Sequence, residues 1–281
     1  MKIVDAIHST DGMATKYLQQ THDGYLIETA YVDYYNKHII CFSSLIGCPI
    51  GCKFCISGKT GRFVRNLGYE ELVTQCVNII DLIDTKNKQI LFSAMGEGEP
   101  LLNFDNLTTT LSDLKMWFPS SKLSISTSGI NTKGIRELAA KKLNVKLQFS
   151  LHASNDILRK KLIPRSESLA NIYCALKIFA KSGNPVEINY ILMHNVNDSL
   201  VDAKGIAKFV AGTGWKVKLN RFNTFSGIPF ESSKRINLFI KVLKLYGVDV
   251  EYYETNGSDI GSACGQMSHQ NNVREKKSIN L

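Results

Sequence analysis

The chain has 281 residues, 44% hydrophobic and 21% charged, which is typical of a folded globular protein and excludes a disordered or low-complexity chain. An excess of 34 lysines and arginines over 25 aspartates and glutamates gives a net charge of +9, which favours an acidic partner. The sequence contains no apolar run long enough to span a membrane, and charged residues interrupt positions 1–12, where a signal peptide needs an apolar core. We therefore expect a cytoplasmic protein whose seven cysteines do not form a disulfide framework.

After an irregular start, two alternating runs predict strands over residues 24–32 and 37–42, joined by a polar turn. Helices and strands then alternate along the chain. Helices are predicted near 72–83, 107–117, 135–143, 169–180, 200–210 and 234–246, and strands at 89–93, 122–126, 145–150, 186–191, 216–220 and 248–252. Such repeated βα units predict a mostly parallel sheet. Because too few residues remain for a closed eightfold barrel, we expect an open, partial (β/α) barrel.

Three cysteines follow the predicted strand 37–42 with the spacing Cys48-x3-Cys52-x2-Cys55. Three thiolates on one loop can wrap a metal centre, and Gly47 and Gly51 allow the tight turns that this requires. No fourth cysteine lies nearby, so an iron–sulfur cluster bound here keeps one iron open for a small chelating ligand. The alternative is a structural zinc loop completed by His38 or a distant cysteine.

The cysteine spacing resembles that of the radical S-adenosylmethionine (SAM) superfamily, whose three-cysteine loop follows the first strand of a partial (β/α)6 barrel. Further motifs are similar to those of the RNA adenosine-C2 methyltransferases within it. They include Ile27-Glu28-Thr29, Gly58-Lys59-Thr60-Gly61, Arg65-Asn66-Leu67, Gly98-Glu99-Pro100-Leu101-Leu102-Asn103, Ser126-Thr127-Ser128-Gly129, Ser150-Leu151-His152, Val196-Asn197-Asp198-Ser199, Asn223 and Ala263-Cys264-Gly265-Gln266. The resemblance covers nearly the whole chain. It implies an α/β radical SAM core over residues 37–281, with a short β-containing extension over residues 1–36.

By resemblance, Cys48, Cys52 and Cys55 bind a [4Fe–4S] cluster, and a second group of residues binds SAM. That group comprises Gly98, Glu99, Ser126, Ser150, Leu151, His152 and Asn223. Most of these residues fall at the carboxyl ends of predicted strands, which meet at one mouth of a parallel barrel. Glu99 can accept hydrogen bonds from the SAM amino group there.

The resemblance also assigns roles to Cys264, Cys41 and Glu28. One SAM methylates Cys264, and a second SAM supplies the radical that activates this methyl group. Cys264 then becomes bonded to the RNA base through the methyl carbon. Cys41 resolves this adduct and forms a disulfide with Cys264. Glu28 is implied as a proton acceptor, the alternative being a charge on an edge strand. Cys76 and Cys174, in predicted helices, are interpreted as buried packing residues.

The implied substrate is an adenosine in 23S ribosomal RNA, transfer RNA or both, with flavodoxin or ferredoxin as a candidate electron donor. The alternatives are methylation at adenine C8, a radical enzyme with a non-RNA substrate, and a zinc-stapled RNA-binding protein. Basic groups are expected around the active site, at Lys53/Lys59/Arg62/Arg65, Arg159/Lys160/Lys161/Arg165, Lys216/Lys218/Arg221 and Lys234/Arg235. Glu97 is expected to add a carboxylate beside the cofactor. The early positions of Glu28 and Cys41 leave no room for the helical accessory domain usual in the family, so we expect the basic surface to carry more of the RNA docking.

Overall fold

The computed structural model describes residues 1–225, 227–253, 256–262 and 265–267. Its main feature is a sheet of ten strands, ordered β1-β2-β3-β4-β7-β8-β9-β10-β11-β12. The strands are β1 Lys2–His8, β2 Ala14–Gln20, β3 Leu26–Tyr34, β4 Lys37–Phe42, β7 Gln89–Ala94, β8 Lys122–Thr127, β9 Val145–Ser150, β10 Val186–Leu192, β11 Lys216–Arg221 and β12 Val250–Tyr253, and a separate hairpin pairs β5 Leu45–Gly47 with β6 Phe63–Asn66.

From β4 onward, every neighbouring pair of strands in the main sheet is parallel. The helices are α1 Ile56–Thr60, α2 Tyr69–Ile80, α3 Phe104–Trp117, α4 Thr132–Ala140, α5 Asp156–Leu162, α6 Leu169–Lys181, α7 Leu200–Val210 and α8 Ile236–Leu245. Within the described residues β12 pairs only with β11, so the barrel is open. The predicted partial (β/α) barrel is confirmed.

The predicted strand 24–32 is β3, but the residues before it form two further strands, β1 and β2, rather than the irregular start that we expected. Strands β1, β2 and β3 pair antiparallel with one another, and β3 pairs antiparallel with β4. Nearly all of β1 is exposed, and its apolar residues occur in adjacent pairs, so the strand lacks the strict alternation that would reveal it. Because β3 lies between β2 and β4, the edge-strand interpretation of Glu28 is wrong.

The helices cover the barrel with amphipathic faces. In α2, Cys76 is fully buried beside Leu72 and Ile79, as predicted for a packing residue. Cys174 is exposed, so the same interpretation is wrong there. Helix α6 buries a face that contains Ile172, Leu176 and Phe179, among others, and Cys174 lies off that face. None of the described helices is both long and apolar enough to cross a membrane.

Candidate active site

The three-cysteine loop is shaped by close backbone packing. Gly47 has φ +75°, and a Cβ there would lie 1.9 Å from the Arg62 carbonyl oxygen, so no larger residue fits. Helix α1 starts directly after Cys55, and a Cβ on Gly58 would lie 2.3 Å from the carbonyl oxygen of Cys52. The chain is therefore held tightly on both sides of the cysteines.

The three cysteine side chains line one cavity of about 880 Å³, part of which opens to solvent. Burial raises the pKa of all three thiols, that of Cys48 to about 12. An isolated thiolate is therefore disfavoured in this pocket, and binding of iron would have to displace the protons.

The described residues offer little support for a structural zinc site. Within the described part of the chain, no three His, Cys, Asp or Glu side chains form a site for one metal ion. His38 lies on β4 and its ring nitrogens hydrogen-bond the Tyr31 hydroxyl and the Asp84 carbonyl, at 2.8 and 3.0 Å. Both ring nitrogens of His38 are therefore already hydrogen-bonded, so His38 is not available as the fourth ligand of a zinc site.

Glu99 forms the most heavily hydrogen-bonded polar position of the cavity. Its Oε1 accepts from the Thr127 hydroxyl at 2.5 Å, and its Oε2 accepts from the amide and hydroxyl of Ser128 at 2.8 and 2.6 Å. Burial raises the Glu99 pKa, and these hydrogen bonds oppose the rise by stabilising the carboxylate. Oε1 keeps acceptor capacity for a donor in the cavity, as a SAM amino group would provide.

Three of the other predicted SAM-binding residues surround the same cavity. Gly98 has φ +110°, and a Cβ there would lie 2.6 Å from Leu45 Cγ. The hydroxyls of Ser126 and Ser150 project from β8 and β9 and lie 3.4 Å apart. All three therefore lie at the predicted mouth, next to the cysteines.

His152 is a buried, neutral histidine in the cavity wall. Its Nδ1 accepts a hydrogen bond from the Ile191 amide at 3.1 Å, and its ring stacks edge-on against Phe54 between the cysteines. Burial lowers the His152 pKa to about 3. An imidazole that accepts at Nδ1 carries its proton on Nε2 and can donate there. Leu151 is buried outside the cavity wall and engages its surroundings through its backbone, donating to the Asn189 carbonyl at 3.0 Å.

Asn223 follows β11 but does not line the cavity. Its Nδ2 is buried and has no hydrogen-bond partner among the described residues. Two other asparagines, Asn189 on β10 and Asn220 on β11, line the cavity instead. Sequence reasoning missed both of them, although each has the strand parity that places its side chain inside the barrel.

A second cavity adjoins the first and contains Cys41. Cys48 and Cys55 line both cavities, and Ser262, Gly265 and Met267 border the second one. Cys264, the predicted methyl carrier, lies outside the described residues.

Residues on the carboxyl side of Cys264 are fixed on α1. The Gly265 carbonyl accepts from the Ile56 amide at 2.9 Å, and the Met267 carbonyl accepts from the Ser57 hydroxyl at 3.0 Å. The segment after Cys264 therefore docks on the loop that carries the predicted cluster ligands.

Glu28 is buried on β3, on the face of the sheet that also carries Cys41. The register pairs Ala30 with Cys41, and Glu28 lies two residues before Ala30. Its carboxylate forms a 3.1 Å ion pair with Lys16 of β2. A Cβ on Gly261 would lie 3.5 Å from the Lys16 ammonium, so the pair adjoins the segment that leads to Cys264. Neither cavity is lined by Glu28 itself.

Glu97 does not line either cavity, but its carboxylate accepts from the Ser57 hydroxyl at 3.2 Å, and its charge contributes to the raised pKa of Cys48 and Cys55.

Two expectations about basic residues are wrong. Arg159 is fully buried and cannot belong to an RNA-binding surface. Lys216 and Lys218 lie at the start of β11, at the amino end of the barrel and away from the site.

An open βα barrel with three cysteines at its mouth defines the class of radical SAM enzymes, and the family comparison agrees. The family described as "Radical SAM superfamily" matches residues 43–204, more than half of the chain.

A relative from Thermotoga neapolitana named "Probable dual-specificity RNA methyltransferase RlmN" is 37% identical over 269 residues, which are 93% of this chain and 77% of the relative. Another, from Magnetococcus marinus, named "Dual-specificity RNA methyltransferase RlmN", is 36% identical over 92% of this chain and 74% of its own length. The crystal structure of a radical SAM methyltransferase from Sphaerobacter thermophilus superposes with a TM-score of 0.88 and 31% identity, covering 95% of this chain and 80% of that one. The chain therefore belongs to the radical SAM superfamily and, within it, to the RlmN family of RNA methyltransferases, which use a [4Fe–4S] cluster and SAM.

Proposed function

We propose that this chain methylates carbon 2 of an adenosine in ribosomal RNA, transfer RNA or both, through a methylated Cys264 that Cys41 later releases from the RNA. The observation that carries the proposal is the shared cavity. Cys41 lines it together with two of the predicted cluster ligands and with residues on both sides of Cys264. This arrangement favours a methyltransferase over a radical enzyme with another kind of substrate, because it brings the predicted carrier segment to a second thiol.

We assign SAM binding and cleavage to the first cavity and the thiol chemistry to the second. The cluster, when bound by Cys48, Cys52 and Cys55, supplies the electron for the reductive cleavage of SAM. Glu99 orients the amino group of SAM, the hydroxyls of Ser126 and Ser150 offer hydrogen bonds to its polar groups, and His152 donates from Nε2. Asn223 is kept as a SAM-binding candidate on the resemblance alone, because it does not line this cavity.

The two thiols and Glu28 act on the RNA side. In the proposed first step, the Cys264 thiolate displaces the methyl group from one SAM, and S-adenosylhomocysteine leaves. In the second step, the radical generated from another SAM removes a hydrogen atom from the S-methyl group, and the resulting methylene radical adds to adenine C2. The adduct gives up one electron, which would return to the cluster, and a base removes the proton from C2, a role we assign to Glu28. The Cys41 thiolate then attacks the Cys264 sulfur and breaks the carbon–sulfur bond; the freed carbon takes up a proton to become the methyl group, and a Cys41–Cys264 disulfide remains for external reduction.

The further partners are also part of the proposal. A reduced flavodoxin or ferredoxin supplies the electron, and the chain works in the cytoplasm, where thiol reductants reopen the disulfide. The net charge of +9 suits binding to RNA.

The test is anaerobic reconstitution of the full chain with iron and sulfide, followed by incubation with SAM, a chemical reductant and total RNA. Nucleoside mass spectrometry should then show 2-methyladenosine. Detection of 8-methyladenosine instead supports the C8 alternative, and detection of neither product from protein with an intact cluster contradicts RNA adenine methylation.

The two-thiol scheme is tested with Cys41→Ala, which should trap a covalent protein–RNA adduct visible on a denaturing gel. Cys174→Ala removes an exposed cysteine away from either cavity and is the matched control. Normal turnover by Cys41→Ala would show that Cys41 does not resolve the adduct.

A further inference from the structure

Arg159 is the largest side chain that the structure buries completely. It projects from the short helix α5, and its guanidinium lies 4.8 Å from the ring centre of Phe149 on β9. Arginine is rarely buried without paired acceptors, because removing its charge from water is costly. Its contacts therefore need a specific explanation.

Among the described residues, the guanidinium donates only to backbone carbonyls, which lie at the mouth of the barrel. Nη1 donates to the carbonyl of Ser150, at 2.8 Å, and to that of Leu151, while Nη2 donates to the carbonyl of Ser128. Ser128 follows β8, and Ser150 ends β9. One planar group thus ties together the ends of two strands whose side chains line the predicted SAM cavity.

The helix that carries Arg159 also holds the cysteine loop. The amide of Lys53, between Cys52 and Cys55, donates to the carbonyl of Leu162 at 2.9 Å. Leu162 belongs to the hydrophobic cluster that contains Cys48 and Phe54. Helix α5 therefore contacts the cysteine loop at its end and the strand ends through Arg159.

The guanidinium is a buried positive charge without a carboxylate at ion-pair distance among the described residues. Its electrostatic neighbours are Cys52, Asp156 and Glu99, all of which favour the charged form. Burial lowers the Arg159 pKa to about 10, so the group stays charged at neutral pH. Its field acts in a poorly screened interior, close to the predicted cluster ligand Cys52.

We propose that Arg159 is a positioning residue that fixes the strand ends of the SAM cavity relative to the cysteine loop, and that its charge favours reduction of the cluster. The inference rests on the proposed role of Cys52 as a cluster ligand. Adding an electron increases the negative charge of the cluster, and a fixed cation nearby stabilises the reduced form. The three carbonyl hydrogen bonds account for the first effect and the unpaired charge for the second.

The test compares Arg159→Gln and Arg159→Lys with the parent chain after anaerobic reconstitution. The midpoint potential is measured by redox titration with electron paramagnetic resonance detection, and SAM affinity is measured by equilibrium binding to the oxidised protein. Arg159→Gln removes the charge and should lower the equilibrium constant for cluster reduction at least tenfold, which is about 59 mV for a one-electron couple. Arg159→Lys keeps the charge, so its equilibrium constant for cluster reduction should stay within about threefold of the parent's.

SAM binding should separate the two parts of the proposal. Both variants should bind SAM about tenfold more weakly, because neither can span the carbonyls of both strand ends with a planar fork. Lys161→Gln, on the exposed side of the same helix, is the matched control and should change neither quantity.

An unchanged potential in Arg159→Gln, with unchanged SAM affinity, overturns the proposal. If both variants lose their folded melting transition, Arg159 is a structural residue and the proposal is overturned as well. Failure of the parent chain to form a [4Fe–4S] cluster at the three cysteines contradicts the proposed cluster site instead, so the two failures are distinguishable.

Discussion

Gly58→Ala tests how closely helix α1 is fitted to the cysteine loop. Gly58 lies inside the helix, where alanine is ordinarily favoured over glycine by about 1 kcal/mol. Here an added Cβ would lie 2.3 Å from the Cys52 carbonyl oxygen and 2.6 Å from its amide nitrogen. Both contacts are with backbone, which cannot rotate away as a flexible side chain can.

The displacement can be worked from these distances. Ordinary contact begins at 3.4 Å, so helix α1 or the Cys52 backbone must move by 3.4 − 2.3, about 1.1 Å. Overpacking of this kind costs about 1 to 3 kcal/mol, which leaves a net loss of roughly 0 to 2 kcal/mol after the helix-propensity gain. A shift of 1.1 Å exceeds the ~0.5 Å within which a metal constellation must be held. We therefore expect Gly58→Ala to fold but to retain less than roughly half of the parent's iron.

Iron and sulfide per chain after anaerobic reconstitution measure the effect, and urea unfolding of the apoprotein measures the stability change. Two variants serve as controls. Gly68→Ala adds a Cβ at an ordinary φ of −70°, with its nearest contact at 3.8 Å, and Gly205→Ala crowds a different helix, where the new Cβ would lie 2.7 Å from Ser154 Cβ. Full iron content in Gly58→Ala, or equal losses in all three variants, would refute the reasoning.

Three further predictions concern the cavity and the charge of the protein. Glu99→Gln should weaken SAM binding about tenfold or more by equilibrium binding, because an amide cannot replace the buried carboxylate that accepts from Thr127 and Ser128; unchanged affinity would place the SAM amino group elsewhere. The pKa of His152 is lowered to about 3 from an ordinary 6.5, so its contribution to stability is complete above pH 6.5 and is lost as the pH falls. Between pH 7 and pH 5, the free energy of unfolding in urea should therefore fall by about 2 kcal/mol. This fall should be absent in His152→Gln. RNA affinity should fall steeply with added salt, with a linear dependence of log Kd on log salt concentration, whereas a flat response would argue against an RNA substrate.

Hydrophobic periodicity predicted the parts of the fold that bury an apolar face. Every strand from β4 to β12 in the main sheet and every helix of nine or more residues was predicted close to its observed place. Strands β1 and β2 were missed because the first is mostly exposed, and a half-polar antiparallel pair gives a weak alternation signal. Helices α1 and α5 are too short to show a repeating apolar face.

For the site too, residues marked by a local sequence pattern were predicted, and residues placed only by the tertiary fold were missed. Cysteine spacing and strand-end motifs predicted most of the residues that line the first cavity, since these signals are local in sequence. Arg159 was interpreted as surface charge because it begins a basic run with Lys160 and Lys161, and nothing local shows that its side chain points inward. Asn189 and Asn220 lie in strands that carry no recognisable motif, so only the barrel geometry reveals them.

The boundary between the two cavities links the cofactor chemistry to the thiol chemistry. Gly96 and Gly98 line both cavities, next to Met95, and a Cβ on Gly96 would lie 2.7 Å from the Ser43 hydroxyl. Because glycine has no side chain, only backbone atoms separate the predicted SAM pocket from the Cys41 cavity at these two positions. A radical formed on SAM must reach the methyl carrier directly, without diffusing through solvent, so a thin wall is what the proposed chemistry requires. Gly96 and Gly98 thus serve two purposes: they relieve backbone crowding, and they keep the two reacting pockets adjacent.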